Sequence, residues 1–339
     1  MNAVFERAAQ ELDAGHDVVL VTIIDSSGSS PRKTGSCMVV SADGRLAGTI
    51  GGGNIEFRSD KMARELLAQK TSCLHTFVLN KSDTEGLGMV CGGDVDVWFQ
   101  FISPADDAWR KVIQSLAEAK SDQGGWFIQS LAGSTPALLS AQKELLAGTM
   151  PDSVDELCTP SCVREGGYYS LPLPKKERAI VFGGGHIGQA LVPLLASVDF
   201  RPVVFDSRPE FADPTLFPCA EDVILGDYEA ISDYIELNPD DFTVIVTHSH
   251  AFDYATQAQL LRHDLAYIGA IGSAPKTRLL RDKLREEGFS EERIAFAHMP
   301  VGIKIGGVTP AEIAVSIVAE MIAVRAEQRK AALKKEGGK

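Results

Sequence analysis

The second half of the chain alternates short apolar runs with segments of helical periodicity. Five apolar runs are typical of buried strands: Ala179–Phe182, Pro202–Phe205, Asp222–Leu225, Phe242–Thr247 and Ala266–Ile271. Apolar residues recur at helical spacing over Gln189–Leu195, Asp253–His263, Pro275–Glu287 and Ile313–Val324. The last helix follows Thr309-Pro310-Ala311-Glu312, a capping box with proline in the first turn. Strands that alternate with helices predict a Rossmann-like parallel sheet with helices on both faces.

The first half of the chain predicts a mixed α/β domain. Helical periodicity covers Val4–Ala14, Ile55–Ala68 and Asp106–Ala119. Apolar runs typical of strands cover Val18–Ile24, Met38–Ser41, Leu46–Ile50, Leu74–Leu79 and Val95–Ile102. The Asp43-Gly44 pair between two of these runs is typical of a hairpin turn.

Part of this hairpin recurs later in the chain. Ser41-Ala42 followed by Leu46-Ala47-Gly48-Thr49-Ile50 has a counterpart in Ser140-Ala141 followed by Leu146-Ala147-Gly148-Thr149-Met150. The second copy lacks the triple glycine of the first and continues with Pro151-Asp152. Two similar hairpins in one domain and chance similarity both explain the repeat.

A proline- and lysine-containing stretch separates the two halves. Pro172-x-Pro174-Lys175-Lys176 has the composition of a linker. We therefore expect an N-terminal domain over residues 1–174, a Rossmann-like domain over 175–327 and a charged C-terminal tail over 328–339.

A glycine-rich turn follows the first strand of the Rossmann-like domain. Gly183, Gly185 and Gly188 form the G-x-G-x-x-G pattern between a strand and a helix, where such glycines allow a tight turn and let a pyrophosphate approach the backbone. Asp206 ends the next strand, where a carboxylate would accept hydrogen bonds from a ribose. Arg208 could reach a 2′-phosphate, so the choice between NAD and NADP stays open. A Rossmann-like turn without a nucleotide is the alternative.

Three histidines lie near the same edge of the predicted sheet. His186 stands inside the glycine turn, where it could donate to an anion or pack against a neighbouring domain. His248 and His250 follow a strand, in a His-x-His-x-x-Asp run that ends at Asp253. This run resembles part of a metallohydrolase ligand set, but contact with a ligand or partner at the carboxyl edge of the sheet explains it as well.

Two loops of the first half suggest a phosphate pocket. Arg32 lies in a hydroxyl-rich loop, and Gly51-Gly52-Gly53-Asn54 opens a helix whose N–H groups and dipole favour anions. Cys91 stands in a third, glycine-bearing loop, where a packed thiol and a reactive thiol are equally plausible. Cys37 and Cys73 lie in apolar runs, which favour core packing.

Composition and charge restrict the classes of partner. The 339 residues contain 33 basic and 46 acidic side chains, a net charge of −13 that disfavours binding to nucleic acid or an anionic membrane. No apolar run approaches the ~18 residues of a membrane span, and the N-terminal residues lack a signal-peptide pattern. The six cysteines are scattered, so we expect reduced thiols and a cytoplasmic protein.

Eight sequence blocks resemble those of the xanthine dehydrogenase accessory factor family (XdhC/CoxI). The blocks are GSSPRKTGSCMVV, GTIGGGNIE, LGMVCGGDVDV, VFGGGHIGQAL, VFDSRPEFA, THSHAFD, YIGAIGSAPKTRLLRDKL and TPAEIAVSIVAE. They span nearly the whole chain, in order. The resemblance implies an N-terminal XdhC/CoxI domain, a C-terminal Rossmann domain, and a chaperone that binds molybdenum cofactor rather than an enzyme.

The resemblance also implies partners and a ligand. It implies sulfuration of molybdopterin, which in some members is extended as a dinucleotide, and its delivery to apo xanthine dehydrogenase or a related molybdenum hydroxylase. A cysteine desulfurase or sulfurtransferase and a homo-oligomeric state are expected as well. Phosphate suits Arg32 and Gly51–Asn54, and a soft thiolate from Cys91 suits molybdenum. An NAD(P)-dependent oxidoreductase that uses Gly183–Gly188 and Asp206 remains the alternative, and a metallohydrolase is a third.

Overall fold

The computed structural model describes residues 2–27, 34–79, 93–118, 124–132 and 135–336. The chain divides into two compact units, Met1–Lys175 and Lys176–Lys339.

The first unit contains four helices and ten strands among its described residues. They are α1 (Asn2–Asp13), β1 (Val18–Ser26), β2 (Cys37–Ser41), β3 (Gly44–Gly48), α2 (Gly53–Gln69), β4 (Cys73–Leu79), β5 (Gly93–Ile102), α3 (Asp107–Ala117), β6 (Gly125–Ser130), β7 (Pro136–Ser140), β8 (Leu145–Gly148), α4 (Val154–Leu157), β9 (Val163–Glu165) and β10 (Tyr168–Leu173). The strands form two antiparallel sheets, in the orders β3-β2-β1-β5-β4 and β8-β7-β6-β10-β9.

The two sheets of the first unit have the same topology. Adding five to each strand number of the first sheet gives the order of the second, and in each half one helix precedes the first strand and another follows the third. The unit is therefore two copies of one αβββαββ motif. The similar hairpins that the sequence suggests are both present, as β2–β3 and β7–β8, and each contains a register shift close to its turn.

The two copies agree in backbone detail at the end of each hairpin. Gly48 and Gly148 have φ angles of 81° and 87°. A Cβ atom at Gly48 would lie 2.3 Å from the carbonyl oxygen of Cys37, and one at Gly148 would lie 2.1 Å from that of Pro136. Each position therefore excludes a side chain for the same two reasons, a left-handed backbone and a close strand.

The first helices of the two copies pack together in a shared core. Phe127 lies between Phe5 of α1 and Trp109 of α3, in edge-to-face contacts with centroid distances of 5.7 Å and 6.1 Å. All three side chains are almost completely buried. Burial of each large apolar side chain contributes about 1.5–3 kcal/mol, so this cluster joins the copies into one unit.

The second unit is a doubly wound α/β fold. Its elements are β11 (Arg178–Phe182), α5 (His186–Ser197), β12 (Arg201–Asp206), β13 (Asp222–Leu225), β14 (Phe242–Ile245), α6 (His250–Leu260), β15 (Tyr267–Ala270), α7 (Ala274–Glu286), α8 (Glu291–Phe296) and α9 (Pro310–Glu336). The five strands are parallel in the order β13-β12-β11-β14-β15. Residues of α5 and α9 pack on one face, and residues of α6, α7 and α8 pack on the other. The predicted fold class is confirmed.

Several helices begin or end a few residues from their predicted bounds, and two of these differences have a clear physical cause. Helix α6 begins at His250 rather than at Asp253, because the Ser249 side chain accepts a hydrogen bond from the N–H of Ala251 and caps the helix there. Helix α9 continues to Glu336, so most of the charged segment 328–339 extends the last helix. The alanine, lysine, arginine and glutamate residues of segment 328–336 favour helix, and this segment contains no glycine or proline. None of the described helices is long and apolar enough to cross a membrane.

Candidate functional site

The glycines of the turn after β11 have two different roles. Gly183 and Gly188 have no room for a side chain, because their Cβ atoms would lie 2.3 Å from the Val246 carbonyl oxygen and 2.1 Å from that of Gly183, respectively. Gly185 has an ordinary φ of −70°, and a Cβ there would meet nothing within 4 Å. Gly183 and Gly188 therefore allow close packing. The space beside Gly185 is open, so a ligand could approach the start of α5 there.

Asp206 ties this glycine turn to the end of β12. Its buried carboxylate accepts a hydrogen bond of 2.8 Å from the Gly184 N–H, and it accepts bonds of 2.9 and 3.0 Å from the Arg208 guanidinium. Burial acts against the charged form, but these hydrogen bonds outweigh it and lower the pKa of Asp206. Both carboxylate oxygens are therefore engaged within the protein, and a ribose would have to compete with Arg208 for them.

Loss of the Asp206 charge should destabilise the second unit. We expect Asp206→Asn to lower the free energy of unfolding by about 2–4 kcal/mol at pH 7, because it leaves the Arg208 guanidinium without its partner. A group with a lowered folded-state pKa stabilises the fold above its unfolded pKa of about 4, and this contribution is lost as the pH falls through the folded value. Denaturant titrations at pH 7 and pH 3 should show the difference between the two proteins shrinking in acid. An equal difference at both pH values would contradict this role.

The His-x-His-x-x-Asp run spans the start of α6, with His248 before the Ser249 cap and with His250 and Asp253 in the first turn. Asp253 is buried and accepts bonds of 3.2 and 2.6 Å from the N–H and hydroxyl of Thr247. The exposed His250 places Nδ1 3.5 Å from the second carboxylate oxygen, and His248 packs on Phe252 at a centroid distance of 5.3 Å. Burial raises the pKa of Asp253. Across the part of the chain that the structure describes, no group of three or more His, Cys, Asp or Glu side chains is placed to hold a metal ion.

The turn at the start of α2 needs glycine for its backbone conformation and not for close packing. Gly51, Gly52 and Gly53 have φ angles of 130°, 73° and 60°, which favour glycine. A Cβ atom at Gly52 or Gly53 would meet nothing within 4 Å. The backbone at the start of this 17-residue helix is therefore open to an approaching ligand.

A carboxylate of the chain occupies part of this backbone cradle. Glu56 accepts hydrogen bonds of 3.2 Å from the N–H groups of Ile50 and Gly52, accepts another from the Thr49 hydroxyl, and lies 3.1 Å from the Arg45 guanidinium. Partial burial opposes its charge, but these contacts lower the pKa of Glu56.

The sequence expectation that the N–H groups at this helix start are free therefore holds only in part. The Gly52 N–H bonds to Glu56, and the Gly51 N–H lies 3.2 Å from the Thr49 hydroxyl oxygen. The N–H groups of Gly53 and Asn54 have no acceptor among the described residues, and they point out of the first helical turn, as such groups do. Sequence reasoning missed Glu56, because the capping-box pattern has its glutamate three residues after a serine or threonine N-cap, whereas Glu56 lies four residues after Gly52.

The second copy of the motif provides an internal control for this loop. Its equivalent segment contains Pro151, Asp152 and Ser153 in place of the three glycines, and its helix α4 has 4 residues where α2 has 17. The same strand order forms without left-handed glycines. The αβββαββ fold therefore does not require Gly51–Gly53, which indicates that they serve a function specific to the first copy.

Both units match family models. Residues 179–321 match the XdhC Rossmann domain, and residues 11–78 match the XdhC and CoxI family. The chain is also 31% identical over 326 residues to a Bacillus subtilis protein whose name describes a probable subunit of xanthine dehydrogenase, in an alignment that covers 93% of this chain and 95% of that protein. This chain belongs to the XdhC and CoxI family.

Two further relatives of this XdhC/CoxI chain agree over almost its full length. One is the Escherichia coli protein named molybdenum cofactor insertion chaperone PaoD, which is 23% identical over 329 residues, with 95% of this chain and 87% of PaoD covered. The other is a crystal structure described as a xanthine dehydrogenase from Bacillus halodurans. It superposes with a TM-score of 0.77 at 26% identity and covers 95% of this chain and 96% of its own. The family resemblance predicted from the sequence is confirmed.

The remaining predicted site residues fall into two groups. His186 is the first residue of α5 and is exposed, so its ring is accessible at the glycine turn. Arg32 and Cys91 lie outside the described residues, and their assigned roles stay predictions.

The five described cysteines of this XdhC/CoxI chain are free thiols. Cys37 is buried in the shared core, as predicted, and burial raises its pKa to about 11. Cys73 is half-buried and packs against the core under the first sheet, where burial also raises its pKa. Both thiols are therefore protonated at neutral pH and are poor metal ligands.

Proposed function

We propose that this chain binds the molybdenum cofactor, assists its sulfuration and inserts it into apo xanthine dehydrogenase or a related molybdenum hydroxylase. The names of two relatives support this role, since one describes a probable component of xanthine dehydrogenase and the other describes a molybdenum cofactor insertion chaperone. The observation in this chain that carries the proposal is the open glycine loop before α2, which one copy of the duplicated motif has and the other lacks.

The chemistry of that loop suits the phosphate of molybdopterin. The N–H groups of Gly53 and Asn54, together with the positive end of the α2 dipole, would bind the phosphate oxygens. Glu56 holds the loop in its left-handed conformation through the Ile50 and Gly52 N–H groups. Because no side chain fills the space above Gly53, the phosphate can reach the backbone directly.

Other residues of the proposed site supply charge and a soft ligand. Arg32 would neutralise the phosphate, and Cys91 would bind molybdenum through its thiolate sulfur. In the second unit, we propose a nucleotide site at the carboxyl edge of the sheet, with contacts from Gly185, His186, His248 and His250. Gly183 and Gly188 pack the glycine turn of this site, and Asp206 holds the turn through the Gly184 N–H.

The proposed partners follow from the two steps of the reaction. The apo enzyme is the acceptor of the finished cofactor, and a cysteine desulfurase or another sulfurtransferase is the donor of sulfur. We propose a cytoplasmic homo-oligomer that binds and releases the cofactor without turning over a substrate of its own. A client enzyme matured without this chain would then contain less molybdenum, or molybdenum without its sulfur, and would show low activity.

Replacement of Cys91 tests the metal ligand. Cys91→Ser should lose most of its bound molybdenum and fail to activate the client, because a hydroxyl is a far poorer ligand than a thiolate for this soft site. The matched control is Cys219→Ser, which alters an exposed free thiol and should leave both readouts unchanged. Molybdenum is measured by elemental analysis after purification, and folding by circular dichroism. Parental molybdenum content in folded Cys91→Ser would refute the ligand and leave the glycine loop as the anchor.

A further inference from the structure

A pocket of about 280 Å³ lies at the carboxyl edge of the parallel sheet, between α6 and α7. Its walls are mostly apolar and come from both helices and from the end of β15. The apolar lining includes Ala251, Ala270, Ile271, Leu280 and Met299. The glycine turn after β11 contributes no residue to this lining. The pocket is therefore distinct from the glycine turn, although His250 and Asp253, which the sequence analysis singled out at this edge of the sheet, belong to its lining.

Two lysines and a threonine hydroxyl are polar groups that line this pocket. Thr277 is only 7% exposed, lines the pocket, and its hydroxyl has no hydrogen-bond partner among the described residues. Lys276 and Lys283 line the pocket as well, and neither has an ion pair within the described part of the chain. The Lys283 Nζ lies 3.5 Å from the centroid of the Tyr254 ring, which holds this ammonium group at the pocket wall.

The helix that carries these lysines is basic within an acidic protein. Helix α7 contains five lysine and arginine residues and two acidic residues, whereas the whole chain has a net charge of −13. Among its arginines, Arg285 is paired with Asp282 and Glu291. The two pocket lysines keep their charge available for a ligand.

The acidic group at the pocket is already satisfied. Asp253 accepts two hydrogen bonds from Thr247 through one oxygen, and its other oxygen faces His250. Burial raises the pKa of this carboxyl. The electrostatic potential in the pocket is therefore positive, because two lysines and the N-terminal turns of α6 and α7 face it. Together with the unpartnered hydroxyl, this potential favours an anion.

We propose that this pocket binds a small phosphate monoester with an aromatic body, of nucleoside-monophosphate size. Lysine ammonium groups suit a compact phosphate, and the Thr277 hydroxyl would donate to one of its oxygens. The aromatic body packs against the apolar walls. The volume of about 280 Å³ lies just below the roughly 300–1,000 Å³ of typical ligand pockets, which excludes a whole dinucleotide. The proposal is independent of the cofactor-binding role of the first unit.

Calorimetric titration with AMP tests the proposal on the full chain. The parent should bind AMP saturably, with an affinity that falls as salt rises. Lys276→Gln, Lys283→Gln and Thr277→Val should each weaken binding, the lysine variants about tenfold, because each removes a direct phosphate contact. Arg278→Gln is the matched control, since it removes the same charge from an exposed position of α7 outside the pocket, and it should bind nearly as the parent does. Thermal unfolding verifies that each variant is folded.

Three outcomes would overturn the assignment. The first is no saturable binding of AMP by the parent up to about 5 mM, a range that covers weak millimolar sites. The second is AMP binding that survives in both lysine variants but disappears in Gly185→Val, which would place the nucleotide at the glycine turn. The third is binding of inorganic phosphate as tight as that of AMP, which would leave the apolar walls without a role.

Discussion

Gly53→Asp should remove most of the bound molybdenum cofactor, and Gly53→Asn should retain it. The two side chains have nearly the same size and differ in charge. At φ 60°, aspartate and asparagine are the residues other than glycine that best tolerate the backbone, and the space around a Cβ at Gly53 is empty. A negative charge a few ångströms from the proposed phosphate should weaken binding by about 1–3 kcal/mol, or roughly fivefold to 150-fold.

The design separates loss of binding from loss of fold. An acidic residue in the first turn of α2 interacts favourably with the helix dipole, so Gly53→Asp should be at least as stable as Gly53→Asn. Pterin content after purification gives the binding readout, and denaturant unfolding gives the stability. Equal pterin content in the two variants would mean that the phosphate binds elsewhere.

Gly48→Ala and Gly148→Ala should both strongly destabilise the first unit. Each Cβ would lie 2.1–2.3 Å from a carbonyl oxygen of the adjacent strand, so the hairpin must distort. We expect each to cost about 2–4 kcal/mol of unfolding free energy. Gly167→Ala is the control, because Gly167 has a similar φ of 82° but an empty Cβ space, and it should cost only about 1 kcal/mol.

This comparison tests the duplication directly. If the two hairpins are equivalent, Gly48→Ala and Gly148→Ala should have similar effects in denaturant titrations, and both should exceed that of Gly167→Ala. Three equal values would show that the backbone angle alone sets the cost. A large cost at one hairpin and none at the other would contradict their structural equivalence.

Local signals in the sequence predicted the second unit well. The apolar runs and glycine turn identify its parallel strands, and the predicted capping box at the start of α9 is present. The Glu312 carboxylate accepts bonds of 2.9 and 2.8 Å from the N–H groups of Thr309 and Val308, and the Glu312 N–H donates to the Thr309 hydroxyl. These interactions join residues within one turn of each other, so pattern analysis finds them.

Contacts between residues that lie far apart in the sequence were much harder to predict. The repeated Ser-Ala and Leu-Ala-Gly-Thr strings indicated a second hairpin, but not the second five-stranded sheet, because β6 pairs with β10 across some forty residues of intervening chain. The strand pattern assigned the Asp206 carboxylate to a ribose. In the structure, this carboxylate accepts hydrogen bonds from Arg208 instead. The pocket between α6 and α7 depends on how two separate helices pack, and no single segment carries its signal.

The proposed role of this chain is to carry molybdenum cofactor to a client enzyme. The most direct measurement purifies the chain from cells that synthesise the cofactor, identifies the bound small molecule by mass spectrometry, and then mixes the loaded protein with purified apo xanthine dehydrogenase. We predict a bound molybdopterin species that leaves this chain as the dehydrogenase gains activity. A chain that carries no pterin under these conditions, or carries one without activating the apo enzyme, would contradict the account.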